Sequence, residues 1–386
     1  MKILAFLHSF EPGGVERVAL RLAEHWQKNG LDAPVFMGRP DGAGRIKEAK
    51  RLRLIYPVKP PLSPAMLETL WMIATLPGVI RRERPDVLFC AGNSYSVVAV
   101  AMKLLLGSDC PPIVAKISND LERRDLPRPA RWLYHLWLRI QASFLDHIVA
   151  MEESMKPEIA KRLGVSDDQI AVIPDPAISK TDIERLAELR KNGADKRNGR
   201  AFVAIGRLTT QKNLPLMLRA FAQGSVSSDT LTLVGDGPLR KSLETQARAL
   251  GLSDRVHFTG HVTEIAPWLA KADFYLMSSH YEGVPSVMVE ALAAGLPIIT
   301  TDCSNAISAM LDGGRLGRIV ATGDVQEMAS AIKLASLDFH LKAERIVMAR
   351  KFTLENSARL YTKLFSELVR RSCSEPDFRQ IRSLKP

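Results

Sequence analysis

Glu282 and Glu290 stand with seven residues between them in the run YEGVPSVMVEALAAGLPIITTD, residues 281–302. Carboxylates accept hydrogen bonds from vicinal hydroxyls, as an acidic residue does for ribose in dinucleotide folds. A glutamate pair is most often a pair of solvated helix-end charges, but one inside an apolar run such as VMVEALAAGLP is costly unless it is paired or bound. Gly283 and Pro285 break the chain, Ser286 reads as an N-cap, and 287–294 reads as a helix that Gly295 stops ahead of a strand at 298–301. The segment Gly283, Val284, Pro285, Ser286 and Val287 then presents unpaired backbone N–H groups and a positive dipole end, a cradle for phosphate or sugar oxygens with Glu282 at its mouth.

Two cations, Arg207 and Lys212, lie five residues apart in GRLTTQKN, on a loop expected at the carboxyl end of a strand, where open parallel sheets bind ligands. A diphosphate suits such a pair, since Arg grips oxygens with two parallel bonds and Lys acts as a point charge. Gly13 and Gly14 follow a first strand and precede a helix, so the backbone there can approach a ligand closely; a tight turn without a ligand is the plain alternative. Gly235-Asp236-Gly237-Pro238 and Gly260-His261-Val262 are further glycine turns at strand ends.

The elements that must position these residues alternate along the chain. Apolar runs at 3–7, 33–37, 53–58, 87–90, 113–117, 147–151 and 170–173 read as strands, with helical patterns between most of them. A second series begins after Pro174-Asp175-Pro176, with strands at 201–205, 230–234, 256–259, 274–277 and 298–301. Alternation of this kind calls for α/β, doubly wound parallel sheets covered on both faces. The expected domains are 1–174 and 175–352, with a helix over 353–371 packing back near the first and a polar tail at 372–386. The segment 130–144, ARWLYHLWLRIQASF, is amphipathic. Stripes of aromatics usually face inward, so core packing is the expectation for it and membrane docking the alternative.

With 386 residues, 46% hydrophobic and 25% charged, the chain suits a two-domain globular enzyme. Its four cysteines form no CxxC pair, so no zinc site or disulfide framework is indicated and a reducing cytoplasm is the simplest compartment. The start, MKILAFLHSFEPGG, reads as a strand rather than a leader, and no stretch reaches the roughly 18 apolar residues that span a bilayer. A net charge of +11 favours anionic ligands or an anionic membrane surface. Nucleic acid is disfavoured, because the basic residues are scattered among acidic ones with no zinc-finger or RNP-type pattern.

Taken in order, GGVER at Gly13, GRLTTQKN at Gly206, GDGP at Gly235, GHV at Gly260, ADFYLMSS at Ala272 and EGVPSVMVEALAAGLPIITTD at Glu282 resemble the retaining glycosyltransferases of family 4, the group 1 transferases. The resemblance spans nearly the whole chain and is most specific in its C-terminal half. It implies the GT-B fold, two Rossmann-like domains facing a cleft, with a nucleotide-sugar donor on the C-terminal domain and a glycan or lipid-linked saccharide acceptor on the N-terminal one. It implies no metal and no cofactor beyond the donor substrate, a UDP-sugar by default, at the inner face of a membrane. Arg207 and Lys212 would hold the diphosphate, and Glu290 the ribose. Glu282 and the amides of 283–287 would take the donor sugar and phosphates. Gly13 and Gly14 would close on the diphosphate, and the backbone near Val262 would meet the base. Where many relatives carry a histidine near the donor sugar, this chain has Asn119 and Asp120, in KISNDLERRD. Either residue takes the polar role, or the departing phosphate deprotonates the acceptor late. A catalytically silent, membrane-bound partner in glycan assembly is the alternative from another class, and a nicotinamide oxidoreductase is disfavoured by the missing G-x-G-x-x-G.

Overall fold

The runs ILAFL, VLFC, AFVAI and FYLM are short and apolar, and each forms a strand buried along its full length. The computed structural model describes residues 1–10, 14–40, 51–57, 68–117, 121, 127–192, 198–336 and 339–374. Gly13, Asn119 and Asp120 lie outside the described residues, as does the tail beyond 374. The chain divides into two units, Met1–Pro174 with Leu354–Pro386, and Asp175–Thr353.

The first unit holds strands β1 (Ile3–Leu7), β2 (Val35–Met37), β3 (Leu54–Ile55), β4 (Val87–Cys90), β5 (Ile113–Lys116), β6 (His147–Ala150) and β7 (Ile170–Val172) in the order β3-β2-β1-β4-β5-β6-β7. Every pairing is parallel, with Ala5 opposite Val35 and Phe89. Parallel neighbours need crossovers, and α1 (Gly14–Lys28), α2 (Glu68–Glu83), α3 (Ser96–Leu106), α4 (Arg128–Ala142) and α5 (Lys156–Leu163) supply them.

The second unit repeats the scheme with β8 (Ala201–Ile205), β9 (Thr230–Val234), β10 (Val256–Gly260), β11 (Phe274–Met277), β12 (Ile298–Thr301) and β13 (Gly317–Val320), ordered β10-β9-β8-β11-β12-β13. Alternate strand residues feed two cores. Val203, Ile205, Tyr275 and Met277 pack on α6 (Lys180–Asn192), α9 (Ala266–Lys271), α10 (Ser286–Ala293), α11 (Asn305–Met310) and α13 (Lys342–Arg350). Phe202, Ala204, Phe274 and Leu276 pack on α7 (Leu214–Gly224), α8 (Arg240–Ala249) and α12 (Val325–Lys333) on the other face. The sequence pattern misses α11 and β13. Strand β13 reads GRIV, with only its last residue buried, and a Cβ on Gly317 would lie 2.7 Å from the Ile298 carbonyl oxygen. An edge strand that admits a glycine and a solvated Arg318 shows no apolar run.

Two further expectations are corrected. Ser286 is the first residue of α10 and not its cap; Pro285 takes that place, with no side-chain capping bond. Helix α4 does not turn its aromatics inward: Trp132 is 65% exposed and Trp137 40%, while the buried residues are Leu138, Gln141 and Ala142. The sheet beside α4 is already closed by these small side chains and half-buried Tyr134. Among the described residues no helix is long and apolar enough to cross a membrane.

The last helix, α14 (Leu354–Ser374), joins the core of the first unit. Trp26 of α1, 1% exposed, packs edge-on against Phe89, Tyr361 and Phe365, and its indole N–H donates to the Ala358 carbonyl at 3.2 Å. Trp26→Ala removes both the packing and the hydrogen bond. It is expected to cost ~3–5 kcal/mol of stability in urea melts, and an unchanged midpoint would show that α14 is not held through this residue.

Candidate active site at the strand ends of the second sheet

In the second sheet the strand order runs from β8 through β9 to β10 on one side and from β11 through β12 to β13 on the other, so the winding reverses between β8 and β11. The loops leaving these two strands part there and open a crevice, the usual place for a ligand in a doubly wound sheet. One loop carries Arg207 and Lys212, the other Ser278, Ser279 and Glu282. All but Glu282 of these line one open pocket.

The two loops are tied together by backbone and hydroxyl bonds. Ser278 Oγ donates to the carbonyls of Lys212 (2.8 Å) and Asn213 (3.0 Å), and His280 N–H donates to the Gln211 carbonyl at 2.8 Å. Buried Thr301 at the end of β12 donates its hydroxyl to the Ser279 carbonyl at 2.7 Å. Glu282 is anchored by its own N–H on the Cys303 carbonyl (2.9 Å), while Ser304 Oγ takes the Gly283 carbonyl at 2.6 Å. A carboxylate so fixed meets Lys212 Nζ at 2.7 Å and accepts from Ser279 Oγ at 2.7 Å. These hydroxyl residues were not singled out in the sequence, although the paired serines of ADFYLMSS sit at a strand end beside the motif.

Lys212 keeps donors beyond the one spent on Glu282, since an ammonium has three. Arg207 is exposed, and no described residue pairs with its guanidinium. Among the described residues, the N–H groups of Gly283, Val284, Ser286 and Val287 donate to no protein acceptor, so the segment before and at the start of α10 has the open amides expected of an anion cradle. Glu290 is half-buried one turn into α10. Burial first, then the charges of Glu282 and Glu290, push the Tyr275 phenol well above its ordinary pKa. Burial and then Glu282 push the Cys303 thiol up to about 12, which leaves it inert. Val262, half-buried just past β10, packs on the core and does not line the pocket; nor does Glu290. Among the described residues no group of three or more His, Cys, Asp or Glu side chains could hold a metal ion.

Gly235 shows how tightly the neighbouring turn is drawn. Its φ is +134°, and a Cβ there would lie 2.1 Å from the Gly206 carbonyl oxygen.

The first sheet reverses between β1 and β4, and a polar cluster that the sequence did not single out sits there. Tyr95 donates its hydroxyl to Glu16 Oε1 at 2.5 Å and its ring lies 4.7 Å from that of His8. Glu68 pairs with Arg39 and lies 4.0 Å from His8 Nδ1, while buried His8 Nε2 has no hydrogen-bond partner among the described residues. Gly14, exposed at the start of α1, has open space where a Cβ would stand.

Fold and site define a two-unit α/β chain with a crevice carrying Arg207 and Lys212 at the topological switch point of its second sheet. Residues 199–337 match the model of the family described as glycosyl transferases group 1, and residues 12–177 that of glycosyltransferase family 4. The chain belongs to the group 1 glycosyltransferases, with their GT-B fold. It is 26% identical over 243 residues to an uncharacterized glycosyltransferase of Methanocaldococcus jannaschii, a match covering 58% of this chain and 57% of that one, less than two thirds of its length. It is 24% identical over 284 residues to the UDP-Gal:alpha-D-GlcNAc-diphosphoundecaprenol alpha-1,3-galactosyltransferase of Escherichia coli, covering 69% of this chain and 70% of the relative. Among solved structures, HepE of Anabaena in complex with UDP superposes with a TM-score of 0.73 at 21% identity, over 95% of this chain and 100% of that one.

Thr301→Val leaves the buried Ser279 carbonyl without its donor, an expected loss of about 1–3 kcal/mol; an unshifted denaturation midpoint would show that the loop does not depend on this bond. His8 titrates below its ordinary value of 6.5, mainly because of burial, against the pull of Glu68 and Glu16. The unfolded chain therefore takes up this proton first, and stability falls as pH drops from about 7 through the folded pKa. His8→Leu should flatten that part of the stability profile, and a slope equal to wild type would contradict it.

Proposed function

We propose that the chain is a retaining glycosyltransferase that moves a sugar from a nucleoside diphosphate sugar, a UDP-sugar, to a glycan or lipid-linked saccharide during assembly of a cell-surface polysaccharide. The observation that carries this reading is the fixed pair Lys212–Glu282 beside exposed Arg207 and the open amides before α10. The galactosyl transfer from UDP-galactose for which the Escherichia coli relative is named and the UDP bound to the Anabaena structure support the choice of donor.

In this reading the bond between the sugar anomeric carbon and the diphosphate oxygen breaks while a bond to the acceptor hydroxyl forms on the same face. Charge grows on the diphosphate as it leaves. Arg207, the free donors of Lys212 and the amides of Gly283, Val284, Ser286 and Val287 meet that charge in positions already set by the loops, so little reorganisation is needed. Glu282 has two tasks, holding Lys212 in place and offering its second oxygen to hydroxyls of the transferred sugar. Glu290 takes the ribose hydroxyls and the backbone near Val262 the base. Either Asn119 or Asp120 takes the polar role at the acceptor, or the departing phosphate removes the acceptor proton late. The N-terminal unit holds the acceptor.

A screen of nucleotide sugars with lipid-linked glycans, read as released nucleoside diphosphate, tests the reading. Arg207→Ala and Glu290→Ala are each expected to lower turnover by about 100-fold or more while the melting curve is retained. Wild-type turnover in both variants, or no release with any donor, would sink it.

A further inference from the structure

Helix α4 is inverted relative to an ordinary surface helix. Such a helix turns its large apolar side chains to the core, whereas α4 buries Leu138, Gln141 and Ala142 and presents Trp132, Leu133, Leu136, Trp137 and Ile140 to the outside, each at least 40% exposed. At 3.6 residues per turn these five share an arc of about 140°. Exposed apolar side chains scattered singly are normal, but a continuous stripe of them marks a surface that meets something. Arg128 and Arg139 border the stripe, and the helix RPARWLYHLWLRIQA carries no acidic residue. The neighbouring helix α3 ends with Leu104 and Leu105 exposed, 66% and 55%.

We propose that this face is a membrane anchor, with α4 lying in the plane of an anionic bilayer and its two indoles at headgroup depth. The side chains favour lipid over a protein partner. Tryptophan is the residue enriched at the water–lipid boundary, aliphatic residues between the two fill the acyl region, and arginine at the rim meets anionic headgroups. A second copy docked on the same face would bring Arg128 and Arg139 against their own kind, because a two-fold contact sets like patches together and this helix offers no carboxylate to pair them.

The placement has a consequence for the proposed reaction and in that part rests on the sugar-transfer reading. Helix α4 is the crossover between adjacent parallel strands β5 and β6, so it runs antiparallel to them and begins at the carboxyl edge of the sheet. With α4 flat on the membrane, the strands of this unit lie along the surface and their carboxyl edge opens sideways at headgroup level. An acceptor can then present its saccharide to this edge while its lipid stays in the bilayer.

The test is co-sedimentation of the full chain with vesicles of phosphatidylglycerol and phosphatidylcholine in equal parts, at low salt, against vesicles of phosphatidylcholine alone. The wild-type chain is expected in the pellet with the mixed vesicles, and its tryptophan emission should be quenched by lipids brominated along their tails. The double variant W132S/W137S should bind at least about tenfold more weakly, given the apolar area removed, and lose the quenching with its thermal melt unchanged. Should that variant misfold, L136E provides the same comparison. R128Q/R139Q should keep the quenching but lose the preference for phosphatidylglycerol. No co-sedimentation, or equal binding by wild type and W132S/W137S, overturns the proposal. So does a wild-type dimer in light scattering that W132S/W137S splits without any vesicle binding. Binding is read without turnover, so its failure leaves the sugar-transfer reading standing, and a chain that binds vesicles but releases no nucleoside diphosphate fails only that reading.

Discussion

The ion pair between Lys212 and Glu282 is the contact about which the second unit is arranged. It closes the gap between the loops leaving β8 and β11, and nearly every bond around it serves to fix one partner. Ser278 and the Gln211 carbonyl set the Lys212 loop, while Thr301, Cys303 and Ser304 set the Glu282 loop. A charged pair with partners 24% and 11% exposed gains little over solvation unless its geometry is held, and removing one partner leaves the other stranded. The hydroxyl bonds therefore fix the position of the pair more than they add to its strength. A ligand that brings negative charge finds the cation already in place.

Much of this was legible in the sequence because it depends on local chemistry. A buried parallel strand is mostly an apolar run, and the strand end that turns sharply beside another backbone is glycine at Gly235, where a Cβ has no room. Arg207, Lys212, Glu282 and Glu290 stood out as charges against such a background. What stayed hidden depends on partners far away in the chain. Thr301 matters only because the Ser279 carbonyl lies over it, and nothing in IITTD marks one threonine from the other. The cluster of His8, Glu16, Glu68 and Tyr95 is gathered from four segments by the reversal of strand order between β1 and β4. Edge strand β13 escaped because one covered face and one solvated arginine leave no pattern to read.

Helix α4 shows the limit of periodicity more sharply. Amphipathic spacing states that a helix has two faces, and says nothing about which of them meets the sheet. That choice belongs to the neighbours: the sheet beneath α4 is closed by Leu138, Ala142 and half-buried Tyr134, and α5 covers its flank, so the bulkier indoles of Trp132 and Trp137 have no site inside. The fold thus leaves outside the side chains that the hydrophobic effect would bury first. Exposed apolar area of this extent is a standing cost in water. A chain that carries it at the border of an arginine-lined, acid-free helix has a surface whose stable environment is an anionic interface, and the same helix begins at the sheet edge where the first unit gathers its polar residues.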